Sequence, residues 1–453
     1  MPKQEGPQPK RSRFKDQGSS ALLASFLGWT LDAFDFFIVV MVLTEIAKDF
    51  QKSNTAIALT LSVTLAFRPV GAFLFGLMAD RYGRKLPLMI DVLFYSIVEV
   101  LCGLAPNFTT FLILRALFGI GMGGEWGVGA SLAMESVPAK WRGVLSGLLQ
   151  EGYAVGYLLA ALAYYGVYPY FGWRAMFFLG GLPALLALYI RSHVEESEAW
   201  QKHRRHDWSE VWAAIQGHSP WYLSLGLIGM LVAALKLAFL WAVLMGVLVM
   251  IVAFMADVTR HVARGHMGTF FYLVALMAGM NFVSHGTQDL YPTFLKLNKG
   301  FSVGMVSLVT IIANIGALTG GIAFGLLSDF LGRKRAMVLA LLGACLFVPL
   351  WIYAPTTALI MVGAFLMQFM VQGAWGVIPA HITELSPASV RGFMPGFAYQ
   401  CGVLIAGSAA TLEALLAQTL GLSKAMALFA LAVFLGCAFI VAIGREKKGE
   451  AFH

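Results

Sequence analysis

Two charged motifs occur twice in this chain at one fixed separation, and this repetition limits the folds that the chain can adopt. Residues 76–85 follow the pattern Gly-x-x-x-Asp-x-x-Gly-Arg-Lys, and residues 325–334 repeat it 249 positions later. The pattern Glu-x6-Arg-Gly at 135–143 recurs at 384–392 with the same separation. Two motifs that recur at one separation predict two homologous halves, each with the same order of elements.

Each half contains six apolar segments that are long enough to cross a membrane, which takes about 20 residues as a helix. In the whole chain 59% of the residues are hydrophobic and 12% are charged, against about 45–50% and about 25% in soluble domains. We therefore predict an all-α integral membrane protein of two six-helix bundles, the parallel repeat found in secondary transporters. The segments are 21–47, 54–78, 86–104, 108–136, 143–167, 172–191, 268–297, 302–328, 336–354, 357–383, 392–420 and 423–443.

The net charge of +8 falls mainly in alternate connections between the apolar segments. Lysine and arginine are enriched in cytoplasmic loops, so this charge indicates orientation and not a nucleic-acid partner. We predict a multi-pass protein of the plasma (inner) membrane with both termini in the cytoplasm. The predicted domains are a tail at 1–20, a first bundle at 21–191, a linker at 192–266, a second bundle at 267–443 and a tail at 444–453.

The linker contains a further apolar stretch at 221–256, between two basic flanks. If the two halves keep one orientation, this insert crosses the membrane an even number of times. Its length fits two short helices of about 27 Å at 1.5 Å per residue, against a hydrocarbon core of about 30 Å. We predict a two-helix hairpin, and a re-entrant or surface hairpin is the alternative.

Arg68 stands in the second apolar segment. At 1.5 Å per residue it lies roughly 18 Å from Asp80, near the bilayer midplane, where an arginine costs at least about 2.5–3.5 kcal/mol. Its counterpart in the second half is Ala317, so the shared scaffold does not require it. We predict that its planar guanidinium binds a substrate carboxylate. The alternative is a structural ion pair with Asp32 or Asp35.

Three acidic residues also lie in spanning segments of the first half. Asp32 and Asp35 lie about 60° apart on one helix face. Two carboxyls in a low dielectric do not both stay ionised cheaply, so this pair is predicted to take part in proton coupling; otherwise the two are buried partners of arginines. Glu125 is an alanine in the second half, and we interpret it as a second proton site or as the partner of Arg115 or Arg68.

A cluster of polar residues occurs in the seventh apolar segment, the first of the second half. At 100° per residue these side chains share an arc of about 100°, and they are Asn281, Ser284, His285 and Gln288, with Asp289 at the edge. Amide and imidazole groups there are predicted to bind the substrate. The pair of His285 and Asp289 is alternatively a proton-transfer pair.

The internal repeat makes Asn281 the counterpart of Asp32. The polar cluster and the acidic pair are therefore predicted to face each other across one cavity. Tyr153 in the fifth segment and Gln400 in the eleventh are further candidates for lining this cavity, with helix packing as the alternative.

The repeated loop motifs supply charged residues at the predicted cytoplasmic ends of the helices. Opposite charges there can hold one conformation closed and separate in another. The alternative is that they only fix the orientation in the membrane. The predicted cytoplasmic gate consists of Asp80, Arg84, Glu135, Arg142, Asp329, Arg333, Glu384 and Arg391.

Several of these patterns resemble those of a known family. Residues 76–85, their repeat, and Arg-x-x-x-Gly-x-Gly-x-Gly-Gly at 115–124 are similar to the signature motifs of the major facilitator superfamily. The pattern Asn-x-x-Ser-His-x-Thr-Gln-Asp-x-x-x-Thr at 281–293 resembles the helix 7 signature of proton-coupled lactate/pyruvate permeases in the sialate:proton symporter group. The first resemblance covers nearly the whole chain, and the second is the more specific one.

Two further resemblances leave the substrate open. The insert is similar to the extra hairpin of fourteen-helix sialate transporters in the same group. Residues 31–35 resemble the Asp-Gly-Tyr/Phe-Asp motif of aromatic-acid:proton symporters, with Ala33 in place of the glycine. Together the resemblances imply proton-coupled symport of a small organic anion, a monocarboxylate such as lactate or pyruvate, with sialic acid or an aromatic acid as the alternatives.

We therefore expect a secondary active transporter whose partners are protons, a small organic anion and the lipid bilayer, with a monomeric functional unit. The sequence contains neither a nucleophile–base pair nor metal-ligand spacing, so we expect no enzyme activity, no cofactor and no metal site. A membrane receptor or a channel with this architecture is the alternative from another class.

Overall fold

The computed structural model describes residues 11–202, 239–450 and 452, and both halves of the chain are helical there. The first half contains α1 (Arg11–Met41), α2 (Leu43–Asp49), α3 (Asn54–Tyr82), α4 (Lys85–Gly103), α5 (Phe108–Ser136), α6 (Arg142–Gln150), α7 (Gly152–Gly166), α8 (Tyr168–Leu179), α9 (Pro183–His193) and α10 (Glu198–Lys202). The remainder contains α11 (Phe239–Val262), α12 (Met267–Gln288), α13 (Tyr291–Lys299), α14 (Val303–Leu331), α15 (Arg333–Tyr353), α16 (Thr357–Leu385), α17 (Met394–Ala406), α18 (Ala409–Leu420) and α19 (Leu422–Ile443).

The helices of the two bundles have the lengths that a membrane requires. Within the described ranges, 11 helical segments are long and apolar enough to cross a bilayer. One more bundle element is the pair α6 and α7, which is interrupted at Glu151 and is therefore shorter in each part. The prediction of an all-α, multi-pass membrane protein is confirmed.

The internal repeat is visible in how the helices start. Ser53 accepts a hydrogen bond from the Ala56 N–H at 3.1 Å at the start of α3, and Ser302 caps α14 in the same way. Asn107 caps α5, and Thr356 caps α16. The two members of each pair of caps are 249 residues apart. Because an N-cap satisfies an otherwise free N–H group of the first turn, both halves begin these helices by the same local chemistry.

Helices α3 and α5 touch through their backbones, and α14 and α16 repeat this contact. A Cβ added to Gly71 would overlap the carbonyl oxygen of Ile120, and one added to Gly320 would overlap that of Phe369. Small residues allow such close approach of membrane helices. The contact brings the middle of α3, which carries Arg68, directly against α5.

The ends of the first bundle differ slightly from the sequence-based boundaries. Helix α1 begins at Arg11, inside the segment predicted as a tail at 1–20, because lysine and arginine are good helix formers and continue the helix beyond its apolar part. The last spanning segment of this bundle consists of α8 and α9, which are separate helices on either side of residues 180–182.

The linker is described only in part. In its described part, α11 runs as one helix over Phe239–Val262, in a structural unit separate from that of the two bundles. The first part of the predicted hairpin, residues 221–238, lies outside the described residues. The hairpin and its alternative therefore stay predictions.

Candidate functional site

The two bundles are joined at one end by the residues of the repeated loop motifs, and we call this the charged end. Asp80 accepts hydrogen bonds from the backbone N–H groups of Gly392 and Phe393 at 2.7 and 3.1 Å. Asp329 accepts from two N–H groups at the start of α6, at 2.9 and 3.0 Å. Each carboxylate thus binds the opposite bundle at a helix start, where free N–H groups favour negative charge.

Within each bundle an arginine holds two acids of the charged end together. Arg84 lies 2.9 Å from Asp80 and 3.1 Å from Glu135. In the second bundle Arg333 makes the equivalent contacts to Asp329 and Glu384, at 2.7 and 3.1 Å. Burial opposes the charge of Arg84, but the carboxylates of Glu135 and Asp80 outweigh it and raise the pKa of this guanidinium above its ordinary value.

Two further ion pairs connect the bundles directly. Arg142 of the first bundle lies 3.1 Å from Glu384 of the second, and Arg391 of the second lies 3.7 Å from Glu135 of the first. The eight residues predicted as a gate therefore form two ion-pair clusters of four residues, each with members from both bundles, and we call the two clusters together the charge network. Its role as a gate stays a prediction.

The contacts between the bundles come mainly from α3, α5 and α6 on one side and α14, α16 and α17 on the other. Ser146 of α6 is bonded to α16, because its hydroxyl donates to the Gly376 carbonyl at 2.7 Å and accepts from the Ala380 N–H at 3.0 Å. The Ser131 hydroxyl donates to the Arg391 carbonyl at 2.7 Å. The charged end is closed in this conformation.

The segment after α19 also lies at the charged end. Glu446 accepts hydrogen bonds from the N–H groups of Arg333 and Lys334 at the start of α15, at 3.3 and 2.9 Å. The ring centre of Phe452 lies 3.8 Å from the guanidinium carbon of Arg142 and 4.0 Å from that of Arg391. Phe452 therefore contacts an arginine of each bundle, as cation–π partners do.

Glu196 occupies in the first half the place that Glu446 occupies in the second. It follows α9 and accepts hydrogen bonds from the N–H groups of Arg84 and Lys85 at the start of α4, at 2.8 and 3.1 Å. Burial raises the pKa of the Glu196 carboxyl above its ordinary value, although these N–H groups act in the opposite direction.

Away from the charged end, the first bundle contains the predicted acids in fully buried positions. Asp32, Asp35 and Glu125 are inaccessible to solvent, and among the described residues none of their carboxyl oxygens has a hydrogen-bond partner. A Cβ added to Gly28 of α1 would overlap the Glu125 carboxyl. The three acids thus lie where α1 packs on α5, and a charge on them would be uncompensated by hydrogen bonds.

Arg68 lies near these acids without pairing with them. Its side chain is 5% exposed, and its Nε and Nη2 have no hydrogen-bond partner in the described part of the chain. It interacts electrostatically with Asp32 and Glu125, and its guanidinium carbon lies 6.0 Å from the ring centre of Tyr399 in the second bundle. Two of its donor groups are therefore available to a ligand.

Arg115 does not pair with Glu125, which was one of the two interpretations of Glu125. It lies 2.7 Å from Glu99 instead, and both side chains are fully buried. Asp35 and Glu99 approach each other, because a Cβ added to Gly180 would meet the Asp35 carboxyl and the Glu99 side chain together. Glu99 belongs to the same acidic cluster, and its partner was not identified from the sequence.

The polar face of α12 is partly engaged with neighbouring helices. Asn281 donates to the Met277 carbonyl at 2.7 Å, and Ser284 accepts from the Trp375 indole at 2.7 Å. Gln288 donates to the Gln368 side chain at 3.0 Å. These bonds hold the α12 side chains in fixed orientations.

His285 and Asp289 form the more open part of this face. The His285 Nδ1 lies 3.1 Å from the Asp289 carboxylate, and their side chains are 38% and 37% exposed. Glu413 in α18 interacts electrostatically with Asp289. This pair is accessible to water, in contrast to the buried acids of the first bundle.

The two weaker candidates have different surroundings. The Tyr153 ring packs on Trp29 and Phe37, with ring centres 5.3 and 5.2 Å apart. Gln400 is fully buried, and neither its amide oxygen nor its nitrogen has a partner in the described ranges. Tyr153 also interacts electrostatically with Arg68 and Asp32, and the amide of Gln400 is unpaired, so the place of both residues in the cavity stays a prediction.

Tyr399 was not identified from the sequence, although it lies between the bundles. Its ring centre is 4.4 Å from that of Trp126 in the first bundle and 6.0 Å from that of Trp375 in the second. The two tryptophans are repeat counterparts of each other. This repetition is a sequence signal that marks their helix positions, but it does not identify Tyr399.

Two family profiles match the chain. The family described as "Sugar (and other) transporter" matches residues 20–218, and the "Major Facilitator Superfamily" profile matches residues 271–452. The first match covers the amino-terminal bundle, and the second covers the carboxyl-terminal one.

Curated relatives are similar over nearly the whole chain. The carboxylic acid transporter protein homolog of Saccharomyces cerevisiae is 27% identical over 97% of this chain and 70% of its own length. The sialic acid transporter NanX of Escherichia coli is 30% identical over 95% of both chains. The niacin transporter NiaP of Acinetobacter baylyi is 30% identical over 94% of both chains.

Solved structures share the arrangement of the helices. The proton:xylose symporter XylE bound to 6-bromo-6-deoxy-D-glucose has a TM-score of 0.71 at 19% identity, over 96% of this chain and 98% of that chain. The human organic anion transporter MFSD10 (TETRAN) has a TM-score of 0.68 at 15% identity, over 94% of this chain and 99% of that chain. At these identities the likeness concerns the fold.

Proposed function

Because the chain belongs to the major facilitator superfamily, a family of transporters and not of enzymes, we propose that it carries a small organic anion together with one or more protons. The transported anion is a monocarboxylate such as lactate or pyruvate, and transport follows alternating access between the two bundles. The protein acts as a monomer in the plasma (inner) membrane.

The observation that carries this proposal is the state of Arg68. A buried guanidinium with two unused donor groups is costly inside a membrane protein, and a bidentate carboxylate is the ligand that satisfies it best. Its position beside Tyr399 of the other bundle supports a ligand that contacts both halves. The names of the relatives, which include a carboxylic acid and sialic acid, support an anion.

The second bundle supplies neutral donors for the same ligand. His285 and Gln400 have polar atoms that the described protein contacts do not fully use, and Asn281, Ser284 and Gln288 are held in place by their neighbours. An anion on Arg68 would thus be oriented by amide, hydroxyl and imidazole groups opposite it.

Proton coupling is assigned to the buried acids of the first bundle. Asp32, Asp35 and Glu125 have no hydrogen-bond partner among the described residues and are inaccessible to solvent. An ionised, unpaired carboxyl in such a place is expensive, so these groups favour binding a proton. Arg115 adjoins this system through Glu99, and Asp289, paired with His285 in the second bundle, is a further candidate for proton coupling.

The charge network indicates which side of the membrane is closed in the described conformation. We assign the charged end, with its excess of lysine and arginine, to the cytoplasm, together with both termini. The conformation described here is then closed to the cytoplasm. The pairs Arg142–Glu384 and Arg391–Glu135 act as the cytoplasmic gate, and they separate when the bundles rock.

Uptake by purified protein in liposomes tests the proposal. We expect lactate or pyruvate to accumulate when the outside is acidic and not when the pH gradient is collapsed. Sialate and benzoate, measured in the same way, separate the alternative substrates. Binding without accumulation would instead indicate a receptor, and non-saturable flux would indicate a channel.

Substitution of Arg68 tests the site itself. We expect Arg68→Ala to reduce uptake at least about a hundredfold, since a charged hydrogen bond in a water-poor site contributes about 1.5–3 kcal/mol and Arg68 offers two. Arg174→Ala, which removes an arginine paired on the protein surface with Asp49, is the matched control and should keep wild-type uptake. Unchanged uptake of every carboxylate by Arg68→Ala would refute the site.

A further inference from the structure

Glu151 is a buried carboxyl for which the proposed transport site provides no role. It lies at the interruption between α6 and α7, and its side chain is 5% exposed. Its Oε1 has no hydrogen-bond partner in the described part of the chain. The side chain is aimed at the other bundle, because a Cβ added to Gly321 of α14 would overlap the Glu151 carboxyl.

Glu151 continues the surface by which α6 packs on α14. Gly143 and Gly147 precede it at intervals of four residues and therefore lie on the same helix face. A Cβ on Gly147 would overlap the carbonyl oxygen of Gly321, and one on Gly143 would overlap that of Gly325. The carboxyl of Glu151 is thus part of the contact between the bundles, on the side of that contact away from the charge network.

Among the residues that the structure describes, no cation is paired with Glu151. On its own helix the nearest cation is Arg142, about 13 Å away along the axis and bound to Glu384. In the spanning parts of the helices around it, the charged or titratable side chains are Asp32 and Asp35 on α1, Arg115, Glu125 and Glu135 on α5, Tyr153, Tyr157, Tyr164 and Tyr165 on α7, Asp329 on α14, and His381 and Glu384 on α16.

We propose that Glu151 is a proton-binding site of the conformation that is closed at the charged end. The carboxyl is neutral while α6 and α14 are in contact, because an unpaired carboxylate in this place would oppose the contact. When the bundles separate there, water reaches the group. The O–H bond then breaks, the electron pair stays on the carboxylate, and the proton passes to water.

If one conformation binds the proton more tightly than the other, protonation of Glu151 and opening of the charged end are thermodynamically linked. A low pH favours the closed charged end, and a high pH favours its opening. This inference deepens the proposed proton coupling and rests on it for its role in transport. The conformational linkage itself needs no substrate.

The internal repeat supplies a matched position in the second half. The counterpart of Glu151 is Gln400, which is also fully buried and cannot ionise. The two pseudo-equivalent positions therefore differ in the ability of the side chain to bind a proton. Exchanging acid and amide at these positions alters the proton dependence with little change in side-chain size.

The test measures the conformation of the full chain in lipid nanodiscs without substrate. Spin labels at Tyr82→Cys and Leu331→Cys, in a background without the native cysteines, report the distance between the bundles at the charged end. Both positions are exposed and are repeat counterparts. We expect the closed fraction of the otherwise wild-type protein to fall at least about tenfold between about pH 5 and about pH 9.

In Glu151→Gln we expect the closed fraction to change less than about twofold over this range, because the amide stays neutral. Glu413→Gln is the control, since Glu413 is another fully buried carboxyl, in α18, which packs on α19; this variant should keep the pH response. The proposal is overturned if the wild type shows no pH response, if Glu151→Gln retains it, or if Glu413→Gln abolishes it.

Gln400→Glu provides an independent variant if Glu151→Gln does not fold. A second carboxyl at the pseudo-equivalent contact should make the loss of the closed fraction with pH steeper, and an unchanged slope would count against the proposal. Uptake driven by a pH gradient is a separate measurement. Failure of that uptake would remove the proposed function, whereas the linkage at Glu151 is decided by the spin-label distances alone.

Discussion

Arg142 of the first bundle lies 3.1 Å from Glu384 of the second, whereas its repeat counterpart Arg391 lies 3.7 Å from Glu135. The internal repeat relates the two contacts, yet only the first is within hydrogen-bond distance. The charge network is therefore tighter on one side of the pseudo-twofold axis than on the other.

This difference predicts unequal effects of two matched substitutions. Arg142→Ala should raise the ratio of open to closed charged end about tenfold, since a charged hydrogen bond contributes about 1.5–3 kcal/mol. Arg391→Ala should have a smaller effect. The distance between spin labels at residues 82 and 331 measures both. A larger opening in Arg391→Ala would contradict the asymmetry.

For the buried pair of Glu99 and Arg115, we predict that removing one partner alone destabilises the protein strongly. Glu99→Gln leaves the Arg115 guanidinium without its counter-charge and should destabilise the protein by about 3–5 kcal/mol. The double variant Glu99→Gln/Arg115→Met should recover most of this loss, because it removes both charges. Thermal unfolding in detergent, followed by tryptophan fluorescence, measures each variant. Additive losses in the double variant would show that the pair is not coupled.

We predict that the loss of the single buried hydroxyl of Ser146 lowers the stability of the protein. Ser146→Ala removes the partner of both the Gly376 carbonyl and the Ala380 N–H, which should cost about 1–3 kcal/mol and lower the Tm. Ser408→Ala removes an exposed hydroxyl that donates to the Ile405 carbonyl three residues earlier and should leave the Tm unchanged. Equal melting temperatures for both variants would argue against the role of Ser146 in holding the bundles together.

Glu196 predicts a dependence of stability on pH. Its raised pKa means that the folded protein binds this proton more tightly than the unfolded chain does. The resulting stabilisation is fully present below the unfolded pKa, about 4.3, and is lost as the pH rises through the folded pKa. The Tm difference between wild type and Glu196→Gln should therefore decrease as the pH is raised from about 4 to about 7. An increase over this range would contradict the prediction.

The fold was predictable because the signals that determine it are local or repeated. Apolar length identifies the spanning helices, and caps such as Ser53 and Ser302 recur with the repeat. The interruption at Glu151 was not predicted, because the apolar length of residues 143–167 identified them as one span although Gln150 and Glu151 are polar. The start of α1 at Arg11 was also not predicted, because polar residues that form helices well carry no hydropathy signal.

The identities of the site residues were easier to predict than their partners. Asp32, Asp35 and Arg68 stand out as charges in hydrocarbon, and the structure places them close together. The pairing of Arg115 with Glu99 depends on the packing of α4 on α5, and spacing along one helix cannot reveal it. Comparing the halves would have helped, because the counterpart of Glu99 is Val348.

The ionisable groups of the acidic cluster lie in one half of a duplicated scaffold. Asp32, Asp35, Glu99 and Glu125 share the first bundle with Arg68 and Arg115, whereas none of their six counterparts in the second bundle is an ionisable residue. A potential of 100 mV does about 2.3 kcal/mol of work on each elementary charge that crosses the membrane. Protein charges return in every transport cycle, so a steady current counts only the transported species. Charge movement recorded before the steady state, when the bundles rock, therefore reports the net charge that this cluster shifts through the membrane field.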